Sequence, residues 1–283
     1  MNRQRGLPAS LALLMTALAC AVPGVTTSAP PASPTPDTRL EIMVAGTVSA
    51  ALQLTQQAAP AIDLAATSTP APTSAEIAAT PTQSAESVLN KNADGTSSFI
   101  DLLGKYEVTI PMPWLALRVN APEFLDAWLL PEASNPAIQR SLGAIQGQDP
   151  NLFRLFLLDI NEEHIDGGFV TNVNFLWDQQ ENLSLPDDAR LQELADSLPA
   201  SIEGAEVLTT EVLTTKDGVP FGVITSRTPA VTQDGANIVI YQKLAFFELP
   251  VGALSITLST TETWQETVVP SFDEIVESFA IRQ

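Results

Sequence analysis

All 17 aromatic residues of this 283-residue chain lie at or after Phe99. Residues 21–98 contain no Phe, Trp or Tyr and are rich in Pro, Ala, Ser and Thr, in runs such as APPASPTP, STPAPTS and ATPTQSAES. Such a segment buries too little apolar surface to offset the entropy of ordering it. It reads as a tether, partly extended by its prolines. The more apolar stretch 40–54 reads as unstructured or weakly collapsed, with a transient helix as the alternative. Any core must therefore be built from residues 99–283, a length usual for one domain.

The start of the chain says where the protein goes. Arg3 and Arg5 precede an uncharged apolar stretch, 7–19, and then Cys20, the only cysteine. That is the layout of a secretory signal, too short for a spanning helix. Cys20 stands where a bacterial lipid anchor is attached, and Ala19 is the small residue expected before it. Ala17 and Leu18 depart from the commonest lipobox order, and Ala17-Leu18-Ala19 also fits ordinary secretory cleavage. The domains expected are a signal peptide (1–19), an anchor cysteine with a disordered linker (20–98) and a globular domain (99–283). Lipidated Cys20 would hold the protein at the outer face of a bacterial cytoplasmic membrane; release as a secreted protein is the alternative. With Cys20 modified, no disulfide is possible and stability must come from the core.

Residues 99–283 carry 27 Asp plus Glu against 9 Lys plus Arg, a net of −18. This excludes a nucleic-acid binder, whose affinity depends on cations that neutralise phosphates. Anionic headgroups would repel it too. The acidity is read first as solubility, with a cation or basic partner as the alternative.

Seven segments read as strands: 106–110, 152–159, 169–178, 207–215, 221–227, 237–249 and 253–260. In the third, Phe169, Val173, Phe175 and Trp177 are assigned to one face. Glycine-bearing turns at Asp217-Gly218 and Pro250-Val251-Gly252, and the polar loop NEEHIDGG, mark hairpins and so an antiparallel sheet. A helix is expected from Pro186-Asp187-Asp188, with Leu191, Leu194, Ala195 and Leu198 as its stripe. Another is expected from the capping box Ser271/Glu274, with Phe272, Ile275, Val276 and Phe279. A third helical region falls within 123–146. Helices with one apolar stripe must cover a sheet, which gives an α+β sandwich.

Three stretches resemble the Mog1/PsbP-like superfamily, including its bacterial lipoproteins: YEVTIPMPW (106–114), FVTNVNF (169–175) and FDEIVESFAI (272–281). The order of elements agrees over about 100–283. A longer, more helical 115–150 and Met112 depart from the pattern. The resemblance implies an α/β/α sandwich with a central, largely antiparallel sheet. It also implies protein binding rather than catalysis.

Residue types needed for chemistry are sparse. The one histidine, His164, cannot form a multi-histidine metal site and is expected to be a solvated turn residue. No nucleophile elbow or phosphate loop occurs. Asp159, Asn161, Glu163 and Asp166 have partial calcium-loop spacing, but His164 and Val170 occupy the positions that need Gly and Glu. A weak Ca2+ site at 159–166 is left as the minor reading. The carboxylate pairs Glu162/Glu163 and Asp187/Asp188 are adjacent, not opposed across a cleft. No catalytic residue, metal or cofactor is expected. Trp114 and Trp128, in Pro-flanked irregular segments, are the candidate partner-binding residues, with ordinary packing as the alternative. Asn182-Leu183-Ser184 matches a glycosylation acceptor that has no meaning in a bacterium.

The expected function is a non-enzymatic, extracytoplasmic lipoprotein, an accessory module of a membrane or cell-surface complex bound to an unknown protein partner. The alternative is a small-molecule or lipid carrier with a pocket between the 123–146 helices and the sheet. A hydrolase using carboxylates alone is the third possibility.

Overall fold

The computed structural model describes residues 86–181, 188–232 and 235–282. Cys20, the tether to residue 85, the 40–54 stretch, Asn182-Leu183-Ser184, and Pro186 and Asp187 lie outside them.

The described strands include residues upstream of Phe99. Strands β1 (Ser87–Lys91) and β2 (Ser97–Asp101) pair antiparallel, so residues 87–98, expected in the linker, belong to a sheet. Short strands with one aromatic between them leave little trace in composition, yet Phe99 and its neighbours supply a face to bury. Strand β3 (Tyr106–Ile110) pairs with β2, and the C-terminal β11 (Ala280–Ile281) pairs with β3. The order of this small sheet is β1-β2-β3-β11.

The larger sheet holds β4 (Leu115–Leu117), β5 (Phe153–Leu158), β6 (Asn172–Asp178), β7 (Glu206–Thr214), β8 (Pro220–Val231), β9 (Asn237–Glu248) and β10 (Ala253–Thr261). Its order is β4-β5-β6-β10-β9-β8-β7, and every neighbouring pair is antiparallel. Each expected strand and hairpin is present; β4 is an addition.

Both faces of this sheet are covered. On one, Leu155, Phe175, Trp177, Ala245, Phe247, Leu254 and Ile256 meet Phe99, Tyr106 and Val108 of the small sheet. Helix α4 (Gln265–Glu277) adds Val268, Phe272, Ile275 and Val276 to the same core. The other face carries α1 (Pro122–Ala127), α2 (Pro136–Ile145) and α3 (Asp188–Ser201). Phe124, Ile138, Leu142 and Ile145 pack on Phe156, Leu158 and Leu176, while Leu191, Leu194, Ala195 and Leu198 pack on Ile224, Leu244 and Phe246. The α+β architecture is as expected, with the small sheet joining α4 in one outer layer.

Two local expectations are corrected. The Ser271/Glu274 capping box does not open the last helix, which starts at Gln265 with Trp264 as its N-cap and carries Pro270 inside. The apolar stripe begins at Val268, four residues before Phe272, and its burial outweighs the backbone bond that Pro270 cannot donate. Phe169 does not share a face with Val173, Phe175 and Trp177. It precedes β6, bridges to Asp166 and packs with Ala230, Ile238 and Ile240.

Candidate functional site

Trp114 and Trp128 separate. Trp114 is buried in the main core, and its indole Nε1 donates to Ser271 Oγ at 2.7 Å. Ser271 is thus a partner of Trp114 rather than a helix cap, and Trp114 cannot anchor another protein. Trp128 follows α1 and stays 38% exposed, with its ring edge-on to Phe124 at 6.3 Å.

Helix α1 sets Trp128 at the surface. Pro122 occupies its first turn, where a missing N–H costs nothing. Arg118 bonds Glu123 and also donates to the Ser87 carbonyl at 2.7 Å, tying the helix start to β1. Phe124 and Ala127 face inward. Leu125 of α1 is exposed, and so are Trp128 and Leu129 in the turn that follows it. Leu125 is 61% and Leu129 83% exposed. Three large apolar side chains exposed together mark a contact surface more often than a scattered single one does. Beside them stand Glu123, Asp126 and Glu132, of which only Glu123 has a cationic partner among the described residues. The surface is an apolar centre with an acidic rim.

The 159–166 loop is more ordered than its polarity implied. His164 is not a solvated turn residue: its Nδ1 lies 2.6 Å from Asp159 Oδ2, its Nε2 lies 3.2 Å from Asn161 Nδ2, and its ring packs on Trp264 at 4.5 Å. Asp159 Oδ1 accepts from the Asn161 amide, and Asn161 Oδ1 from the Glu163 amide. The side-chain oxygens of Asp159 and Asn161 are thus engaged within the loop. Among the described residues no group of three or more His, Cys, Asp or Glu is arranged to hold a metal ion. The loop docks against the N-cap of α4.

A polar row on the sheet face toward α2 and α3 had no counterpart in the sequence reading. Asn172 of β6 pairs with Ser259 of β10, which pairs with Gln242 of β9, which pairs with Ser226 of β8. All four are buried, as are Asn174 and Thr257 in the next row. Gln242 Nε2 donates to Ser259 Oγ at 2.9 Å, and Asn174 Nδ2 to Asn172 Oδ1 at 3.3 Å. Gln242 Oε1 finds no partner. The only signal for this row was polar residues alternating with Val173 and Phe175, which reads equally as a solvated face.

A cleft of about 1030 Å³ opens elsewhere, at the far end of the sheet, lined by Asp166, Ile202, Glu203, Pro229, Ile238 and Glu262 among others. Under the 123–146 helices, where the alternative carrier reading put a pocket, the side chains of Phe124, Ile138, Leu142 and Ile145 pack against the sheet.

No family model matches the sequence, and no curated protein matches it. Solved structures do. The chain is similar to PsbP of the cyanobacterium Synechocystis sp. PCC 6803, with 16% identity over 66% of this chain and 92% of that one, TM-score 0.41. LpqN of Mycobacterium tuberculosis, described as involved in cell envelope biogenesis, matches at 10% identity over 70% and 91%, TM-score 0.38. The Ran-binding protein Mog1p of Saccharomyces cerevisiae matches at 10% identity over 66% and 95%, TM-score 0.37. Identities this low carry no function from one protein to another.

Proposed function

We propose that this chain is a non-enzymatic, extracytoplasmic lipoprotein whose domain binds a protein partner through the surface of Leu125, Trp128 and Leu129. Lipidated Cys20 would hold it at the outer face of the membrane, and the tether, at ~5–6 Å × √n, gives the domain a reach of about 50 Å. The observation that carries the reading is the exposed apolar group formed by Leu125 of α1 and Trp128 and Leu129 in the turn after it, with Trp, a residue enriched at binding hot spots, among them. The acidic rim fits a partner that presents an apolar socket edged by Lys or Arg. Among the described residues no helix is long and apolar enough to cross a membrane.

Crosslinking in intact membranes tests this with wild type, Cys20→Ala and Trp128→Ala side by side. The reading requires crosslinks that map to 125–129, are lost in Trp128→Ala and fall in Cys20→Ala. If no protein is captured and native mass spectrometry shows a retained small molecule or lipid, the carrier alternative replaces it. In that case the cleft lined by Asp166, Ile202, Glu203, Pro229, Ile238 and Glu262 is the first place to look for the ligand.

A further inference from the structure

The larger sheet ends differently on its two sides. Strand β4 closes one side with three residues, whereas β7 leaves nine residues on the other. One side of β7 pairs with β8, and no described strand pairs with the opposite side. Nine residues at ~3.4 Å each give a free edge of about 30 Å. Half of its backbone N–H and C=O groups point outward, a template for another strand. Natural edges are usually blocked by lysine, proline, a bulge or shortness. Residues 206–214 (EVLTTEVLT) contain neither Lys nor Pro. A register shift between Val207 and Thr209 disturbs only the first end, leaving 209–214 regular.

The two faces of this edge differ. Glu211 and Leu213 lie across from Val223 and Phe221, on the side of α4. A hollow of about 250 Å³ opens there, lined by Leu213, Phe221, Val223, Phe272, Asp273 and Glu277 among others. Thr210 and Val212 lie on the side of α3, beside a second hollow of about 270 Å³ that also involves Leu191 and Gln192. Glu211 forms no ion pair among the described residues, unlike Asp273 with Lys243 and Glu277 with Lys216.

We propose that β7 is a second binding surface, which takes up an extended basic segment of another protein as an added antiparallel strand. Main-chain bonds would supply affinity, and alternate side chains would enter the two hollows. Lys or Arg on the α4 side would meet Glu211 as a cross-strand pair. A second copy of this chain fits less well. Self-pairing about Thr210 makes the two Glu211 side chains diagonal neighbours on one face, and each chain carries a net charge of −20.

The test uses the full chain and a capped nine-residue peptide of alternating Lys and Val. Controls are the Glu/Val analogue and a peptide of the same charge with a central Pro. Binding is read by fluorescence anisotropy and its location by amide hydrogen exchange. The expected result is Lys/Val binding with at least tenfold slower exchange at alternate amides of 209–214. Glu211→Lys, checked for folding by circular dichroism, should weaken it at least tenfold. Trp128→Ala should not change it, so this inference and the α1 reading fail separately. Equal binding of the Pro-interrupted peptide would reduce the effect to bulk electrostatics and overturn the proposal. So would protection confined to 125–129, or β7 protection that instead grows with concentration of the chain alone.

Discussion

Arg154 holds Asp101 through two guanidinium nitrogens, Nε to Oδ2 at 2.6 Å and Nη2 to Oδ1 at 3.3 Å, and both residues are buried, at 5% and 0% exposure. They come from different sheets, β5 and β2. A register shift between Phe153 and Leu155 lets Arg154 leave the strand's alternation and face the small sheet. The remaining bonds complete the cage. Asp101 Oδ1 accepts from the amides of Leu103 and Gly104, Arg154 Nη1 donates to the Pro150 carbonyl, and the guanidinium lies 5.3 Å from the Trp177 ring centroid.

Breaking this pair from one side should cost more than removing it. Arg154→Met leaves the Asp101 carboxylate buried without its cation, a loss of about 3–5 kcal/mol. Asp101→Leu strands the guanidinium and the two amides at similar cost. In the double variant no uncompensated charge remains, so its loss should fall well below the sum of the singles. Urea unfolding of the four proteins checks this; additivity of the two singles would contradict it.

Tyr106 sits beside the pair, fully buried, with its hydroxyl unpartnered. Burial first, and the Asp101 charge second, push its phenol well above the ordinary 10.0, against a smaller opposing effect of Arg154. Below pH 10 the folded and unfolded chains both keep this proton. Above it the unfolded chain releases the proton while the folded one retains it, so stability falls as pH rises. Tyr106→Phe should flatten that alkaline decline. The difference between wild type and Tyr106→Phe in absorbance near 295 nm should stay constant through pH 10 in the folded protein. A phenolate signal there, before unfolding, would refute the assignment.

The long strands were legible because alternation in Val173, Phe175 and Trp177, or in Leu254, Ile256 and Leu258, directly records a face that must be buried. Strands β1 and β2 were not, since SVLNK and SSFID carry one aromatic between them. The start of α4 was misplaced because a capping-box pattern lies inside the helix. The role of Trp114 depends on Ser271, 157 positions away, a proximity that no local pattern encodes. The buried row of Asn172, Ser259 and Gln242 escaped for a further reason: polar alternation looks the same whether water or another layer covers it.

The two candidate tryptophans should part company on mutation. Trp114→Ala empties a core position and removes a bond to Ser271, which should cost about 3–5 kcal/mol. Trp128→Ala trims a half-exposed ring at the end of a short helix and should cost about 1 kcal/mol or less. Denaturant titration separates the outcomes, and a large loss in Trp128→Ala would make it a packing residue rather than a contact residue.

The two hairpin glycines give a sharper contrast. Gly218 and Gly252 share nearly the same backbone, φ +80° and +81°, which alanine adopts at a cost of about 1–2 kcal/mol. A Cβ on Gly218 would meet open space, so Gly218→Ala should show that conformational cost alone. On Gly252 it would lie 2.1 Å from the Asp178 carbonyl oxygen and 2.6 Å from Gln179 Cα. Backbone cannot swing aside as a side chain can. Trp177 Nε1 also donates to the Val251 carbonyl in the same turn, at 2.8 Å. Relief of the clash would therefore have to open the β9–β10 hairpin or pull that bond. Gly252→Ala should lose clearly more stability than Gly218→Ala in thermal unfolding, with the tryptophan emission altered only in the former. Equal losses would mean that the turn at 250–252 stands clear of β6.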